Sequence, residues 1–415
     1  MPAKDLSSGN ESGEVQAVQI IQYRDVKFGH PRESLYNASQ PISGCAWVET
    51  DDGVVLFDTL QSKKAAKKTL DKIHEVSGKI KYIIYSHGHL DHIRGAPVFM
   101  VDEPEVIANA LLPERLDSYK MLARYRARVS AMQFNIPEIV IEEDYVYPTK
   151  TFQGSMTFTL GDKTFELYTA RAETDDVCWT YVPEIKAAFI GDMVIGSFPN
   201  IGNPWKPSRF TLGWVKCLEE VRAREPEIIL CNGGSVVYQE DEVQAVLDAN
   251  IEAIRSLHDQ VVEHINNDMH ITEMIHAVDL PHHLKESPYL QFSYSRPEFF
   301  VFNVYRWYHG YFDHNPANLL PRPEKEVMAE IYDLIGGPEK ILSRAEQLYK
   351  QNQAQLALQV LDILIQADPE NLYARELRIK LLERLGADDY CLMSRNTWVY
   401  YIKKDKDFLR SKRRL

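Results

Sequence analysis

Three histidines and one aspartate fall within six consecutive residues, in the run Ser86-His87-Gly88-His89-Leu90-Asp91-His92. Imidazole nitrogens and carboxylate oxygens are the usual protein ligands of zinc and of the harder first-row metals. The residues just before the run, 80–85, have the β-branched and aromatic content of a buried strand. Because a strand delivers four ligand-type side chains to one loop, we predict a metal centre here rather than a solvated polar turn.

Two further carboxylates follow predicted strands in the same way. Glu173 comes shortly after a strand that ends at Thr169, and Asp192 follows the apolar residues 187–190. A lone acidic residue in a loop is ordinarily only solvated. In an α/β chain, however, functional side chains gather on the loops at strand ends. We therefore predict that both carboxylates join the histidines at the metal centre.

The bulk composition indicates a globular protein with two or three domains. The chain has 415 residues, of which 45% are hydrophobic and 26% are charged. A net charge of −13 argues against nucleic acid as a partner. Five scattered cysteines without a C-x-x-C pair favour reduced thiols and a cytoplasmic location. No apolar run approaches the length of a membrane span, so no membrane span is expected.

The first half of the chain is predicted to be an α/β domain. Residues 1–16 are polar and are expected to form a disordered tail. From 17 to 240, segments with strand character alternate with segments of helical periodicity, beginning with a strand at 18–21. This alternation predicts an α/β architecture in which the functional site lies on loops.

The second half is predicted to be mainly helical, over residues 241–390. Within it, 281–323 is rich in proline and aromatic residues and is expected to be a linker, its aromatics forming either an apolar pocket or a dimer core. Residues 343–385 resemble a tetratricopeptide-like helix pair, which cannot bury its own apolar face and must dock elsewhere. Residues 391–415 are assigned to a C-terminal tail, whose mostly basic end is expected to fray.

These residues together resemble the metallo-β-lactamase superfamily, and within it the alkyl sulfatase branch. The superfamily resemblance rests on the histidine run, on Asp58 in the segment Val55-Leu56-Phe57-Asp58-Thr59, on Glu173 and on Gly191-Asp192. In the sulfatase branch a carboxylate stands where the superfamily usually has its third histidine, and Glu173 fills that place.

The sulfatase resemblance continues beyond the candidate site. The segment from Trp307 to Leu319, WYHGYFDHNPANL, is similar to a signature of the alkyl sulfatase dimerisation region, as are Gly336-Gly337 and Ala367-Asp368-Pro369-Glu370-Asn371. The likeness covers about residues 43–385. It implies a metallo-β-lactamase αβ/βα sandwich followed by an α-helical dimerisation domain, and a homodimer. The sulfatases' C-terminal sterol-carrier-like domain is expected to be absent.

The resemblance also assigns the ligands. It implies that His87, His89 and Glu173 hold one divalent metal, that Asp91 and His92 hold a second, and that Asp192 bridges the two. One or two ions are expected, zinc by default, although such an oxygen-rich site also accepts Mn or Fe. Asp58 is expected to stand behind these ligands and to fix a histidine tautomer or the loop itself.

One departure from the family pattern concerns the second metal. The superfamily usually supplies another histidine from a loop after a late strand, which here reads Leu230-Cys231-Asn232-Gly233-Gly234-Ser235. Gly233 stands where that histidine is expected. Either the second site has fewer protein ligands, or a residue from elsewhere completes it, or only one metal binds. His309 and His314 are conceivable donors, although the ordinary surface role is the commoner one for such histidines.

The leading hypothesis is therefore a metal-dependent hydrolase in which a metal-bound hydroxide attacks a small ester, most readily an alkyl sulfate. Asp91 is expected to assist proton transfer as a catalytic residue as well as to ligate. Arg209, Lys206 and Asn200 are candidates for binding the anionic head of this small-molecule substrate. Two alternatives stay open: the same site acting on a lactone, carboxylate ester, phosphoester or other small molecule, and a non-catalytic metal-binding dimeric scaffold.

Overall fold

The structure is a computed structural model that describes residues 25–138 and 144–413. The predicted tail over 1–16 and the predicted strand at 18–21 lie outside these residues. The described residues form two compact units. The larger contains 25–127 and 144–308, and the smaller contains 128–138 and 309–413.

The first sheet of the larger unit has seven strands in chain order. They are β1 (Lys27–Arg32), β2 (Leu35–Gln40), β3 (Ser43–Thr50), β4 (Gly53–Phe57), β5 (Ile80–Ile84), β6 (Glu105–Asn109) and β7 (Lys150–Phe152). Strands β1 to β4 pair antiparallel, whereas β4 to β7 pair parallel. Helices lie between the parallel strands: α1 (Lys63–Val76), α2 (Leu90–Ile93), α3 (Ala96–Phe99), α4 (Leu112–Met121) and α5 (Ala123–Phe134).

The second sheet has six strands in the order β13-β12-β11-β10-β9-β8. They are β8 (Ser155–Leu160), β9 (Lys163–Ala170), β10 (Val177–Val182), β11 (Ala187–Phe189), β12 (Ile228–Cys231) and β13 (Val236–Gln239). The β11–β12 pair is parallel and is joined through helix α6 (Thr211–Arg222), and the other neighbouring strands pair antiparallel.

The two sheets pack face to face, and helices cover both outer faces. Apolar side chains from both sheets form the inner layer, where the Phe57 and Phe189 rings stack with centroids 3.6 Å apart. Helices α1 to α4 cover the first sheet through residues such as Leu70 and Phe99. Helix α6 covers the second sheet through the fully buried Trp214. The predicted αβ/βα sandwich is therefore confirmed.

Three helices that follow β13 also belong to the larger unit: α7 (Asp241–Asn266), α8 (Ile271–Ala277) and α9 (Pro297–Tyr308). They share the apolar cluster on the outer face of the second sheet. The predicted linker over 281–323 is wrong where α9 forms, because Phe300 and Val304 of this helix are buried in that cluster. Gly202 allows the close approach, since a Cβ there would lie 1.9 Å from the Phe299 carbonyl carbon.

The smaller unit is helical, as predicted. Its helices are α10 (Glu324–Ile335), α11 (Pro338–Lys350), α12 (Ala354–Ala367), α13 (Leu372–Ala387) and α14 (Leu392–Arg413), beside residues 128–134 of α5. Apolar residues of α11, α12 and α13 form one cluster, against which Tyr332 and Ile335 of α10 pack. Where the catalytic domain ends and the helical domain begins, predicted at 240/241, stays a prediction.

The C-terminal tail predicted over 391–415 needs correction, because its described part is the 22-residue helix α14. Ile402 and Leu409 pack against α13. Asp405 is fully buried and accepts hydrogen bonds from Arg375 and Arg378 at 2.6–2.8 Å. These charge-assisted hydrogen bonds hold α14 against α13, so this segment is an ordered helix. None of the helices within 25–138 and 144–413 is both long and apolar enough to cross a membrane.

Candidate metal centre

The predicted ligands lie in the loops that follow three strands. The histidine run follows β5, Glu173 follows β9, and Asp192 follows β11. The turn after β11 needs glycine, because Gly191 has a φ of +53° and a Cβ there would lie 2.9 Å from Ser86 Oγ. The local sequence thus lets the Asp192 turn approach the histidine run closely.

Four side chains form what we call the four-ligand cluster: His87, His89, Glu173 and Asp192. The Glu173 Oε2 atom lies 3.0 Å from His87 Nε2 and 3.4 Å from His89 Nδ1. The two histidine nitrogens are 2.8 Å apart, and Asp192 Oδ2 lies 3.8 Å from His87 Nε2. These atoms converge on a volume small enough for one ion.

Three side chains form the three-ligand cluster: Asp91, His92 and, again, Asp192. His92 Nε2 lies 3.1 Å from Asp192 Oδ1 and 3.6 Å from Asp91 Oδ2. The two oxygens of Asp192 therefore face different clusters, Oδ2 the first and Oδ1 the second. This is the arrangement in which one carboxylate can bridge two ions.

Two of the ligand atoms are buried without a hydrogen-bond partner. Among the described residues, His92 Nε2 and Glu173 Oε2 are buried and make no hydrogen bond. Buried polar atoms ordinarily have hydrogen-bond partners, so both atoms fit a bound cation. The structure thus brings all six predicted ligands together, and their assignment to individual ions stays a prediction.

Asp58 contacts Ser86 and His92 on the side away from the predicted metal-binding atoms. Its Oδ1 accepts from the Ser86 backbone N–H at 2.8 Å, and its Oδ2 accepts from Ser86 Oγ at 2.7 Å. The same Oδ2 lies 2.7 Å from His92 Nδ1. A carboxylate on Nδ1 holds the imidazole with Nε2 free for a metal. The structure thus places Asp58 where a residue that orients a histidine is expected.

The charges in the centre shift the acid–base properties of its members. Burial alone lowers the pKa of His92, but Asp192, Asp58 and Asp91 outweigh it and raise this pKa well above its usual value. For His89, burial dominates and its pKa falls well below the usual range. For Asp91, burial dominates in the other direction and raises the carboxyl pKa. Three carboxylates surround His92, and this excess of negative charge suits the binding of cations at the centre as a whole.

Arg209 does not lie free for a substrate. Its guanidinium, which is buried, pairs with Glu173 Oε1. Burial raises the pKa of Glu173, but Arg209, His89 and His87 together hold it well below its usual value. Helix α9 fixes Arg209 in turn: Asn303 Oδ1 accepts from the Arg209 N–H at 2.6 Å and its Nδ2 donates to the Arg209 carbonyl at 3.2 Å. A direct contact of Arg209 with substrate stays a prediction.

The other two candidate substrate residues lie on the same loop. Lys206 is half-buried, and burial, with Arg126 and Arg209 nearby, lowers its pKa to about 8. Asn200 is buried, and within the described ranges its Oδ1 has no hydrogen-bond partner. Lys206 can therefore take up an anionic group, whereas Asn200 Oδ1 can accept a hydrogen bond from a donor.

Tyr294 was missed as a site residue. Its pKa is raised by burial first and then by the charges of Asp91 and Asp192, so the phenol keeps its proton within electrostatic range of the centre. In the sequence it is one of many aromatics between 289 and 308, and nothing separates it from them. Residues His309 and His314 contact each other, with their Nε2 atoms 3.2 Å apart, and belong to neither ligand cluster of the described chain.

Comparisons with known proteins agree with this fold. Residues 42–233 match the family model of the metallo-beta-lactamase superfamily, and residues 270–407 match that of alkyl sulfatase dimerisation. A linear primary-alkylsulfatase from a Pseudomonas species is 26% identical over 86% of this chain and 72% of its own length. An (R)-specific secondary-alkylsulfatase, also from Pseudomonas, is 23% identical over 85% of this chain.

A solved structure extends the likeness to three dimensions. The stereoselective inverting sec-alkylsulfatase Pisa1 from Pseudomonas sp. superimposes with a TM-score of 0.82 over 92% of this chain, at 22% identity. This likeness shows the fold. The chain spans 66% of that protein's length and 58% of the secondary-alkylsulfatase.

The family predicted from the residues is thus confirmed: the chain carries a metallo-beta-lactamase superfamily domain followed by an alkyl sulfatase dimerisation domain.

Proposed function

We propose that this protein is a metal-dependent hydrolase that cleaves a small sulfate ester, most readily an alkyl sulfate. The observation that carries the proposal is the convergence of six ligand-type side chains, two with buried unsatisfied donor atoms, on a shared Asp192. When bound, divalent ions at such a site lower the pKa of water towards about 7 and act as Lewis acids. The alkylsulfatase activity of the relatives supports the sulfate ester as substrate.

Other residues of the centre and its surroundings would transfer protons, bind the substrate and position a ligand. Asp91, about a quarter exposed, is the member of the centre best placed to exchange a proton with substrate or water. Lys206 offers a positive charge on the loop that precedes α6, and a sulfate head binds through such a charge. The free amide oxygen of Asn200 is an acceptor, so it suits a hydrogen-bond donor such as water rather than the sulfate. Arg209 keeps Glu173 ionised and in place.

Zinc is the proposed metal, because two histidines and two carboxylates in the four-ligand cluster suit it. Mn and Fe are the alternatives that oxygen-rich ligands also accept. Measuring the bound metal of purified protein, followed by reconstitution of the chelated protein with each ion, tests this choice. Restored activity with Mn or Fe but not zinc would contradict the proposal for zinc.

We also propose a homodimer. The smaller unit leaves Tyr311, Leu320 and Leu334 each more than four fifths exposed. Large exposed apolar side chains in one region mark an association surface, and the dimerisation family model covers them. Light scattering should give twice the chain mass, and Leu334→Asp should lower it. A monomeric wild type would contradict this. The five cysteines form no disulfides and are all buried, which is compatible with the proposed cytoplasmic location.

The hydrolase proposal is tested with metal-replete protein on a panel of esters: primary and secondary alkyl sulfates, a lactone, a carboxylate ester and a phosphoester. Alkyl sulfates should give the highest kcat/KM. Asp91→Asn and His89→Ala should each lower it by at least about a thousandfold, because they remove ligands of the centre.

Asp248→Asn is the matched control, because Asp248 is an exposed carboxylate that pairs with Arg222 on the surface. This variant should keep the wild-type kcat/KM. Full activity in Asp91→Asn, or faster cleavage of another ester class, would refute the proposal. Binding of metal without turnover of any ester would favour the scaffold alternative.

A further inference from the structure

The two ligand clusters are built unequally. The four-ligand cluster includes His87 and Glu173, which are almost completely buried, and the Arg209 pair fixes its carboxylate. The three-ligand cluster has one fewer protein ligand, and its Asp91 side chain is 27% exposed. Fewer ligands and easier access of water both weaken the hold on an ion.

The loop after β12 approaches the three-ligand cluster without providing a strong ligand. The side-chain amide of Asn232 lies beside Asp192 Oδ1, at 3.2 Å, and beside the Ile42 carbonyl, at 3.3 Å, and hydrogen bonds to both oxygens need its nitrogen on that side. Asp192 Oδ1 is the oxygen that faces His92. The loop therefore offers this cluster a neutral side-chain amide, whose oxygen is a weaker ligand for zinc than an imidazole.

The neighbouring Gly233 cannot take over as a ligand position. Its φ is +63°, and a Cβ there would lie 2.5 Å from the Gly44 carbonyl oxygen and 3.3 Å from Asp58 Oδ2. Gly44 is part of β3, so the obstacle is backbone that does not move aside. A side chain at 233 would displace the sheet before it reached the cluster.

We propose that this protein holds its two metal ions unequally: the four-ligand cluster keeps its ion, whereas the three-ligand cluster releases its ion first and exchanges it as the free metal concentration changes. The inference deepens the proposed function and rests on it in needing the same metal centre. It makes Asn232 the residue that sets the weaker affinity. The protein then passes between a two-metal and a one-metal state without unfolding.

The test is a chelator titration of zinc-loaded full-length protein, with the zinc-to-chain ratio measured by elemental analysis after dialysis. We expect two phases, a fall from two to one and a later fall from one to zero, separated by at least about tenfold in chelator concentration. Asp91→Asn should begin at a ratio of one and follow only the later phase. Circular dichroism checks that the ratio of one belongs to folded protein.

Two neighbouring substitutions sharpen the test. Asn232 has a φ of +47°, a left-handed conformation in which histidine, like asparagine, is enriched. Asn232→His should add an imidazole beside Asp192 and move the first phase towards the second by tenfold or more. Gly233→His introduces the same residue one position later and should leave the first phase unchanged or unfold the protein, because of the Gly44 contact.

Release of both ions in a single phase would overturn the inference, as would loss of both ions in Asp91→Asn. An unchanged first phase in folded Asn232→His would overturn the role of Asn232. These readouts do not use catalysis, so they separate the two proposals. Two phases in a protein that hydrolyses no ester would refute only the proposed function, and a single phase in an active sulfatase would refute only the unequal sites.

Discussion

Arg209→Gln removes the positive charge that holds Glu173, and its cost can be worked out from the structure. Both side chains are about 4% exposed or less, so the pair is buried. Removing one partner of a buried ion pair costs about 3–5 kcal/mol, because the other charge stays buried and unpaired. His87 and His89 still contact the second oxygen of Glu173. We therefore expect the lower end, about 3 kcal/mol, in metal-free protein.

The assay is urea unfolding of chelated wild type and variant, followed by tryptophan fluorescence. With a denaturant slope of about 3 kcal/mol/M, a loss of 3 kcal/mol lowers the midpoint by about 1 M. Arg222→Gln is the control, because Arg222 pairs with Asp248 on the surface, where an ion pair contributes about 0–1 kcal/mol. A midpoint shift in Arg209→Gln no larger than that in Arg222→Gln would refute the reasoning.

The pH dependence gives a second check on the same pair. The pKa of Glu173 is depressed in the folded protein, so its ionised form contributes stability above the ordinary value of 4.5 and loses this contribution as the pH falls through the folded value. The difference in stability between wild type and Arg209→Gln should therefore be largest near neutral pH and shrink below about 4.5. A difference that grows on acidification would contradict this.

Three further predictions concern other parts of the chain. Asp405→Asn should lower the unfolding free energy of the smaller unit by about 3 kcal/mol, measured by hydrogen exchange in α14, since two half-buried guanidinium groups lose a fully buried counter-charge; exchange as slow as in wild type would contradict it. Because burial lowers the pKa of Lys206 to about 8, KM for an alkyl sulfate should rise above pH 8 in wild type and stay flat in Lys206→Arg; identical profiles would remove Lys206 from substrate binding. Gly202→Ala should lower both thermal stability and kcat/KM, because the added Cβ would collide with the Phe299 backbone; an unchanged melting temperature would show that α9 can move aside.

The ligands could be predicted from the sequence because each follows a strand with a clear apolar pattern. His87 to His92 follow β5, and Asp192 follows β11. When strand ends are recognised, the short loops that follow them have little freedom. The sandwich follows from the same strands, and the family resemblance gives their order.

The partners of Arg209 could not be predicted. Its side chain pairs with Glu173, 36 positions earlier, and its backbone bonds Asn303, 94 positions later. Nothing local distinguishes such a pair from a charged loop that faces solvent. Helix α9 could not be predicted from the sequence either, because its aromatic and β-branched residues have strand propensity and its first residue is a proline. Packing against the second sheet decides its conformation.

The C-terminal helix was missed for a different reason. Many lysines and arginines suggested a frayed end, yet Val399, Ile402 and Leu409 have helical spacing and are buried. The basic residues are the exposed face of an amphipathic helix. The number of charged residues therefore led to the wrong prediction of a frayed end, whereas the spacing of the apolar residues would have predicted a helix.

The hydrogen bonds between Asn303 and the Arg209 backbone limit where this protein can be joined to a relative. Asn303 lies within the stretch that matches the dimerisation family, whereas Arg209 and Glu173 lie within the stretch that matches the metallo-beta-lactamase superfamily. The boundary between the two family matches therefore separates Asn303 from the Arg209 and Glu173 side chains that depend on it. A chimera joined to a relative between 240 and 297 would take the Arg209 loop from one parent and Asn303 from the other. A junction after Tyr308 keeps both from the same parent.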